Sequence, residues 1–200
     1  TAVSPQNDAV GDCIACVAGK YFEQAAQSSD VCKSCVAGKY FTEAAQSRDV
    51  CIRCVAGKWS SAIGVDSASK CIDCIAGRYF TQAGQSSDVC KSCVAGKYFT
   101  EAAQSSDVCV TCPAGKSVIA TGSDELTDCI ACVTGRYSSA TDVTCIDCIA
   151  GRYSTAVSPQ NDAVGDCIAC VAGKYFEQAA QSSDVCKSCV AGKYFTEAAQ

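Results

Sequence analysis

Every cysteine in this chain belongs to a Cys-x-x-Cys pair, and the pair is written ten times, at 13/16, 32/35, 51/54, 71/74, 90/93, 109/112, 129/132, 145/148, 167/170 and 186/189. First cysteines follow one another at intervals of 16 to 22 residues, most of them 19 or 20. A repeat that short lies below the roughly 40 residues under which disulfides, metal or oligomerisation are usually needed for folding. Ordering its backbone costs about 1–2 kcal/mol per residue, which one or two aromatics and a few small aliphatics do not offset. The cysteines therefore have to hold each repeat in shape.

A longer period lies over the short one. Residues 1–46 recur unchanged as 155–200, a superperiod of 154 residues or eight repeats. No linker or shift of composition breaks the pattern, so residues 1–200 read as one continuous tandem array of ten Cys-x-x-Cys repeats. The array starts and stops in mid-repeat, without an initiating Met or a leader. The expectation is an excerpt of a longer chain.

Other positions recur in step with the cysteines. The third residue after each second cysteine is always Gly, from Gly19 to Gly192. An unvarying Gly points to positive φ or to close approach of backbone. Lys or Arg follows in all ten repeats, and an aromatic follows that in nine, with Ser117 the exception. In six repeats a Phe comes next: Phe22, Phe41, Phe80, Phe99, Phe176 and Phe195. The Val-Ala-Gly-Lys-Tyr-Phe segment alternates enough for a short strand. Ala-Ala-Gln-Ser-Ser-Asp reads as a loop or one helical turn, and Asp-Val-Cys as a short returning strand. Length varies only between one repeat's second cysteine and the next repeat's first. That stretch is 12 residues after Cys132 and 18 after Cys148, which marks it as a surface loop.

Composition removes several functions. The chain has no His, so imidazole-based hydrolase chemistry is out. Sixteen basic against 21 acidic residues give a net charge of −5, with no electrostatic footprint for nucleic acid. No apolar run nears the roughly 18 residues of a membrane span. The acidic residues lack calcium-loop spacing. Asn7 and Asn161 are each followed by Asp-Ala, so there is no Asn-x-Ser/Thr site. Neither enzyme activity nor a cofactor is expected.

Three chemistries compete for the cysteines. Disulfides supply what the core cannot, since a bridge closing a 15-residue loop contributes about 3 kcal/mol. Zinc is an alternative because Cys-x2-Cys-x15-Cys-x2-Cys fits a ribbon spacing, but four-cysteine sites consume repeats in pairs and no two-repeat alternation exists. Thiol–disulfide exchange uses one reactive pair on a βαβ scaffold, which is absent. For disulfides, the economical pairing joins each second cysteine to the next first cysteine. It gives Cys16–Cys32, Cys35–Cys51, Cys54–Cys71, Cys74–Cys90, Cys93–Cys109, Cys112–Cys129, Cys132–Cys145, Cys148–Cys167 and Cys170–Cys186, with Cys13 and Cys189 bonded beyond the sequence. Same-position ladders and bridges within each Cys-x-x-Cys remain open. Persistent disulfides imply a secreted or cell-surface setting.

Cys32-Lys-Ser-Cys35-Val-Ala-Gly38-Lys-Tyr40 resembles the cysteine-rich repeats of the growth-factor-receptor class, the ephrin-receptor-like type above all. Cys109-Val-Thr-Cys112-Pro113-Ala-Gly115-Lys comes nearest to that family's Cys-Pro-x-Gly form. The resemblance spans the chain and implies extracellular disulfide-bonded rods without catalytic activity. The proposed pairing is similar to the first bridge of tumour-necrosis-factor-receptor modules, with one bridge per repeat here instead of three.

The Tyr series is expected to pack against its own repeat's disulfide or the adjoining Gly. The Phe series either fills crevices of its own array or forms a stripe of lateral contacts. The basic residue after Gly and the acidic Asp30, Asp49, Asp88, Asp107 and Asp184 are placed to pair across the loop, though solvated pairs contribute only about 0–1 kcal/mol. The expected fold is small and disulfide-rich, with short β-hairpins and loops stacked into an extended rod or superhelix. The expected function is an extracellular structural repeat protein that self-associates as the strand of a fibre, stalk or coat. The rivals are a receptor or adhesion ectodomain with a protein ligand, and a zinc-binding scaffold. Neither nucleic acid nor direct membrane insertion enters any of these readings.

Overall fold

A computed structural model of the chain describes residues 13–24 and 31–194. Among these, nine disulfides join the second cysteine of one repeat to the first of the next: Cys16–Cys32, Cys35–Cys51, Cys54–Cys71, Cys74–Cys90, Cys93–Cys109, Cys112–Cys129, Cys132–Cys145, Cys148–Cys167 and Cys170–Cys186. Their Cα separations are uniform, 5.6–5.9 Å, although the closed loops differ from 13 to 19 in sequence separation. The loops thus vary without moving the bridges. Cys13 and Cys189 have no disulfide partner among the described residues.

Each bridge sits beside a two-stranded antiparallel hairpin. Lys39–Tyr40 pairs with Ile52–Arg53, for example, and Lys97–Tyr98 with Val110–Thr111. Nine such ladders occur among the described residues, always the basic residue and the residue after it, aromatic in eight and Ser117 in one, against the two residues inside the next Cys-x-x-Cys. The strands are shorter than the sequence pattern predicts and the returning one is displaced. Val-Ala-Gly forms a tight turn in which the Val36 carbonyl accepts the Lys39 N–H at 3.1 Å, so only Lys39–Tyr40 is left as strand. The returning strand is the Cys-x-x-Cys interior, because the bridge brings that segment alongside, and Asp-Val-Cys is not a strand.

The Asp two places before the first cysteine, in the repeats that carry one, has a further task. Asp49, Asp88, Asp107 and Asp184 accept the amide of the cysteine two residues on, at 3.0–3.1 Å, closing an Asx turn. Of the expected cross-loop pairs, Lys39–Asp49 forms at 3.9 Å; Asp30 lies outside the described residues. In the loops of separation 17, 17 and 19 the additional residues wind into 3-10 turns, Ala68–Lys70, Leu126–Asp128 and Val164–Asp166, just before the cysteine.

Contacts divide the chain into two compact units: Thr1–Cys74 with Phe80–Cys90 and Ala103–Ser106, and Ile75–Tyr79 with Lys91–Ala102 and Asp107–Gln200. Each, taken alone, obeys one hydrogen-bond rule. The recurrent Gly accepts the N–H of the next second cysteine through its carbonyl, as Gly38 from Cys54 or Gly115 from Cys132, and donates its own N–H to the residue after the next aromatic, as Gly38 to Ser60 or Gly115 to Ser138. That residue's N–H reaches the following loop in turn: Ser60 to Gln85, Ser138 to Asn161. The core is mainly sulfur, with second cysteines such as Cys35, Cys54, Cys93 and Cys148 at most 1% exposed.

Contacts also reach beyond nearest neighbours. Gly57 has φ +81°, and a Cβ there would overlap the carbonyl oxygen of Ala103, two repeats on. Ala103 is itself left-handed, with φ 60°. Its place, ten residues after the second cysteine, is taken by Ala45, Gly64, Gly84, Gly122 and Ala180, all at positive φ. The N–H at this place donates to the previous repeat's second cysteine, Ala103 to Cys74 and Gly64 to Cys35 among them.

These two positions predict opposite outcomes. Gly57→Ala combines the left-handed cost of about 1–2 kcal/mol with steric overlap and lowers stability by more than about 2 kcal/mol. Ala103→Gly removes that cost and returns part of it as backbone entropy, about 0.5–1 kcal/mol; it is neutral or stabilising. Calorimetry on the oxidised chain checks both.

Candidate interaction surface

The side chains that recur divide into those the array encloses and those it presents. The aromatic series is enclosed in part. Tyr98 packs against Cys112, Cys129 and Val118, so this ring covers the bridge of the following repeat, where the expectation was its own repeat's bridge or the adjoining Gly. Tyr79 donates its hydroxyl to the Asp107 carboxylate at 3.4 Å. Desolvation, and then the charge of Asp107, raise its phenol above the ordinary value.

The Phe position faces into its own array. Where Phe is replaced, Ser60, Ser138 and Ser154 are fully buried and Val118 is buried. Phe176 is buried as well, while Phe22, Phe41, Phe80 and Phe99 are half-buried. Phe195 lies outside the described residues. A position that encloses serine completely is internal, since the polar hydroxyl gains nothing from a dry partner surface.

Asn161 is the one fully buried amide side chain among the described residues. Its Nδ2 donates to the carbonyls of Cys132 at 2.8 Å and Arg136 at 3.2 Å. At Cys16, Cys35, Cys54, Cys74, Cys93 and Cys148 the second cysteine's carbonyl receives the N–H of the small left-handed residue. In the longest loop the Asn161 side chain supplies that donor. Its Oδ1 has no hydrogen-bond partner and lies against Gly115, where a Cβ would come to 2.8 Å. The signal available in sequence was the failure of the small-residue position: ten residues after Cys148 stands Ser158, neither Ala nor Gly.

The presented side chains are charged or aliphatic. Lys58–Asp73 at 2.7 Å and Arg136–Asp147 at 2.6 Å pair across hairpins, half-exposed, and contribute little each. A shallow cleft of about 270 Å³ lies between Tyr137, Ile146, Ile149, Val164 and the Asp147 and Arg152 side chains. It falls under the roughly 300–1,000 Å³ of small-molecule sites. Eighteen cysteine sulfurs are bonded in pairs, and no group of metal-ligating side chains occurs among the described residues. No helix there is long and apolar enough to cross a membrane.

The geometry defines a cysteine-rich, disulfide-bonded repeat protein. No family model and no curated protein matches the chain.

Asn161→Ala removes the side-chain donor to the buried Cys132 carbonyl and the part-buried Arg136 carbonyl, a loss of about 2 kcal/mol. Asn161→Asp is worse at neutral pH, because a carboxylate faces two acceptors. The site raises that carboxyl's pKa, and the protonated form donates again, so this variant recovers stability as pH falls. Thermal unfolding at neutral and mildly acid pH distinguishes the two substitutions.

Proposed function

We propose that the chain belongs to a non-enzymatic, extracellular structural protein, the building strand of a fibre, stalk or surface coat. One observation carries this reading: a single bridge-and-hairpin solution is repeated nine times with the same Cα spacing while the loops alone vary. Nine disulfides suit an oxidising compartment. Identical repeats present identical patches at fixed intervals, which favours regular assembly. The unchanged 46-residue recurrence adds to that sameness. A surface selected to read one ligand gains nothing from it.

The Cys32–Tyr40 pattern that resembles growth-factor-receptor-type repeats favours a second reading, an ectodomain that binds a protein ligand. Electron microscopy of the purified, oxidised chain separates the two. Ordered filaments or sheets formed unaided support the structural reading. A monodisperse chain that captures one ligand supports the receptor. Reductant is expected to abolish both assembly and the far-ultraviolet dichroism of the chain, whereas a metal chelator leaves them intact. The reverse response would establish a zinc scaffold.

A further inference from the structure

The residue directly after the second cysteine is a branched aliphatic turned to water. In the second compact unit it is Ile75, Val94, Val133, Ile149, Val171 and Val190, each 55–64% exposed. Pro113 takes the place once. The first compact unit carries Val17, Val36 and Val55 at the same position with similar exposure. Neither local geometry nor packing requires this. The residue opens the tight turn and contributes only its carbonyl, Val94 to the Lys97 N–H and Val171 to the Lys174 N–H. Any polar side chain satisfies that role.

The turns are also linked. Within the second unit the Gly that closes one turn accepts the N–H of the cysteine that opens the next, from Gly96–Cys112 through Gly115–Cys132, Gly135–Cys148 and Gly151–Cys170 to Gly173–Cys189, at 2.8–2.9 Å. The exposed aliphatics therefore follow one another turn by turn along a continuous hydrogen-bonded path. We propose that this row is the contact through which two copies of the chain associate. The inference rests on the self-association reading and names its surface.

Area decides the partner. A Val or Ile side chain offers about 100 Å², so six at this exposure supply about 350 Å². A stable interface takes about 800 Å² per partner. A partner that meets one or two repeats falls far short, while one that meets all of them has close to half the need in this row alone. Aliphatics after the first cysteine, Val110, Ile130 and Ile168, are exposed on the hairpin strands and recur at the same repeat interval. Only a partner with apolar groups at the same repeat interval engages every position, and a second copy has that interval by construction of its sequence. Many weak contacts then act together.

Sedimentation velocity of the full oxidised chain, with its bridges confirmed by peptide mapping, tests this. The set Val94→Thr, Val133→Thr, Val171→Thr and Val190→Thr keeps side-chain shape at exposed sites. Val157→Thr, exposed in a loop, is the control. The wild type and the control are expected to associate, and the fourfold variant to bind at least tenfold more weakly. If the fourfold variant associates like the wild type, this surface is wrong and self-association proceeds elsewhere. If the wild type stays monomeric, the self-association reading falls and the surface with it.

Discussion

The bond between one repeat's second cysteine and the next repeat's first is the constraint from which the rest follows. It fixes two chain segments about 5.6–5.9 Å apart at their Cα atoms, within reach of a β ladder. The two residues before the next second cysteine then have an obligatory partner, the basic residue and aromatic of the preceding repeat. Two-residue strands have no stability of their own. They persist because each is tied at one end by a bridge and capped at the other by a left-handed Gly. The second cysteine is the more deeply buried member of most pairs, and the bridge takes the place that a hydrophobic core holds in larger domains.

Backbone, more than side chains, joins successive repeats. The recurrent Gly uses its carbonyl and, in most repeats, its N–H on the following repeat, and at Gly19, Gly38, Gly57, Gly77 and Gly135 its missing Cβ admits a loop carbonyl from the repeat after that. Three consecutive repeats therefore share each contact site. Repeat arrays are described by nearest-neighbour terms; here the next-but-one contact couples three repeats, so loss of one Gly disturbs both of the repeats that follow.

Much of this was legible in the residues. Cysteine spacing carries the bridge pattern, since only loops between repeats change length, and an unvarying Gly carries its positive φ. Strand limits were not legible. Val-Ala-Gly-Lys-Tyr-Phe has strand periodicity, but the Gly conformation spends three of its residues on a turn, and the partner strand hides inside Cys-x-x-Cys, where the cysteines mask any alternation. The Asp before Cys reads equally well as an ion-pair partner or an Asx turn, and the amide two residues away wins because it is local. The small residue ten places after the second cysteine was visible as an Ala/Gly position, yet Ala does not announce positive φ. Asn161 was legible only indirectly: Ser158 marks a lapse of that rule, as Asp142 does, but neither names the side chain that takes over.

Variation among repeats separates what folds the chain from what the chain presents. Loop length changes, and the bridge ends hold it harmless. Phe gives way to Ser or Val at an internal position, and the surrounding backbone hydrogen bonds are unchanged, as Phe41–Val65 and Ser60–Gln85 have the same form. Even the left-handed residue is replaceable, by an amide side chain. These positions are buried or locally constrained and still tolerate exchange. The aliphatic after the second cysteine has neither burial nor a conformational demand to hold it, and it stays Val or Ile in nine repeats of ten. Within a single molecule that constancy has no physical cause. The proposed contact between copies supplies a requirement of that kind at every turn.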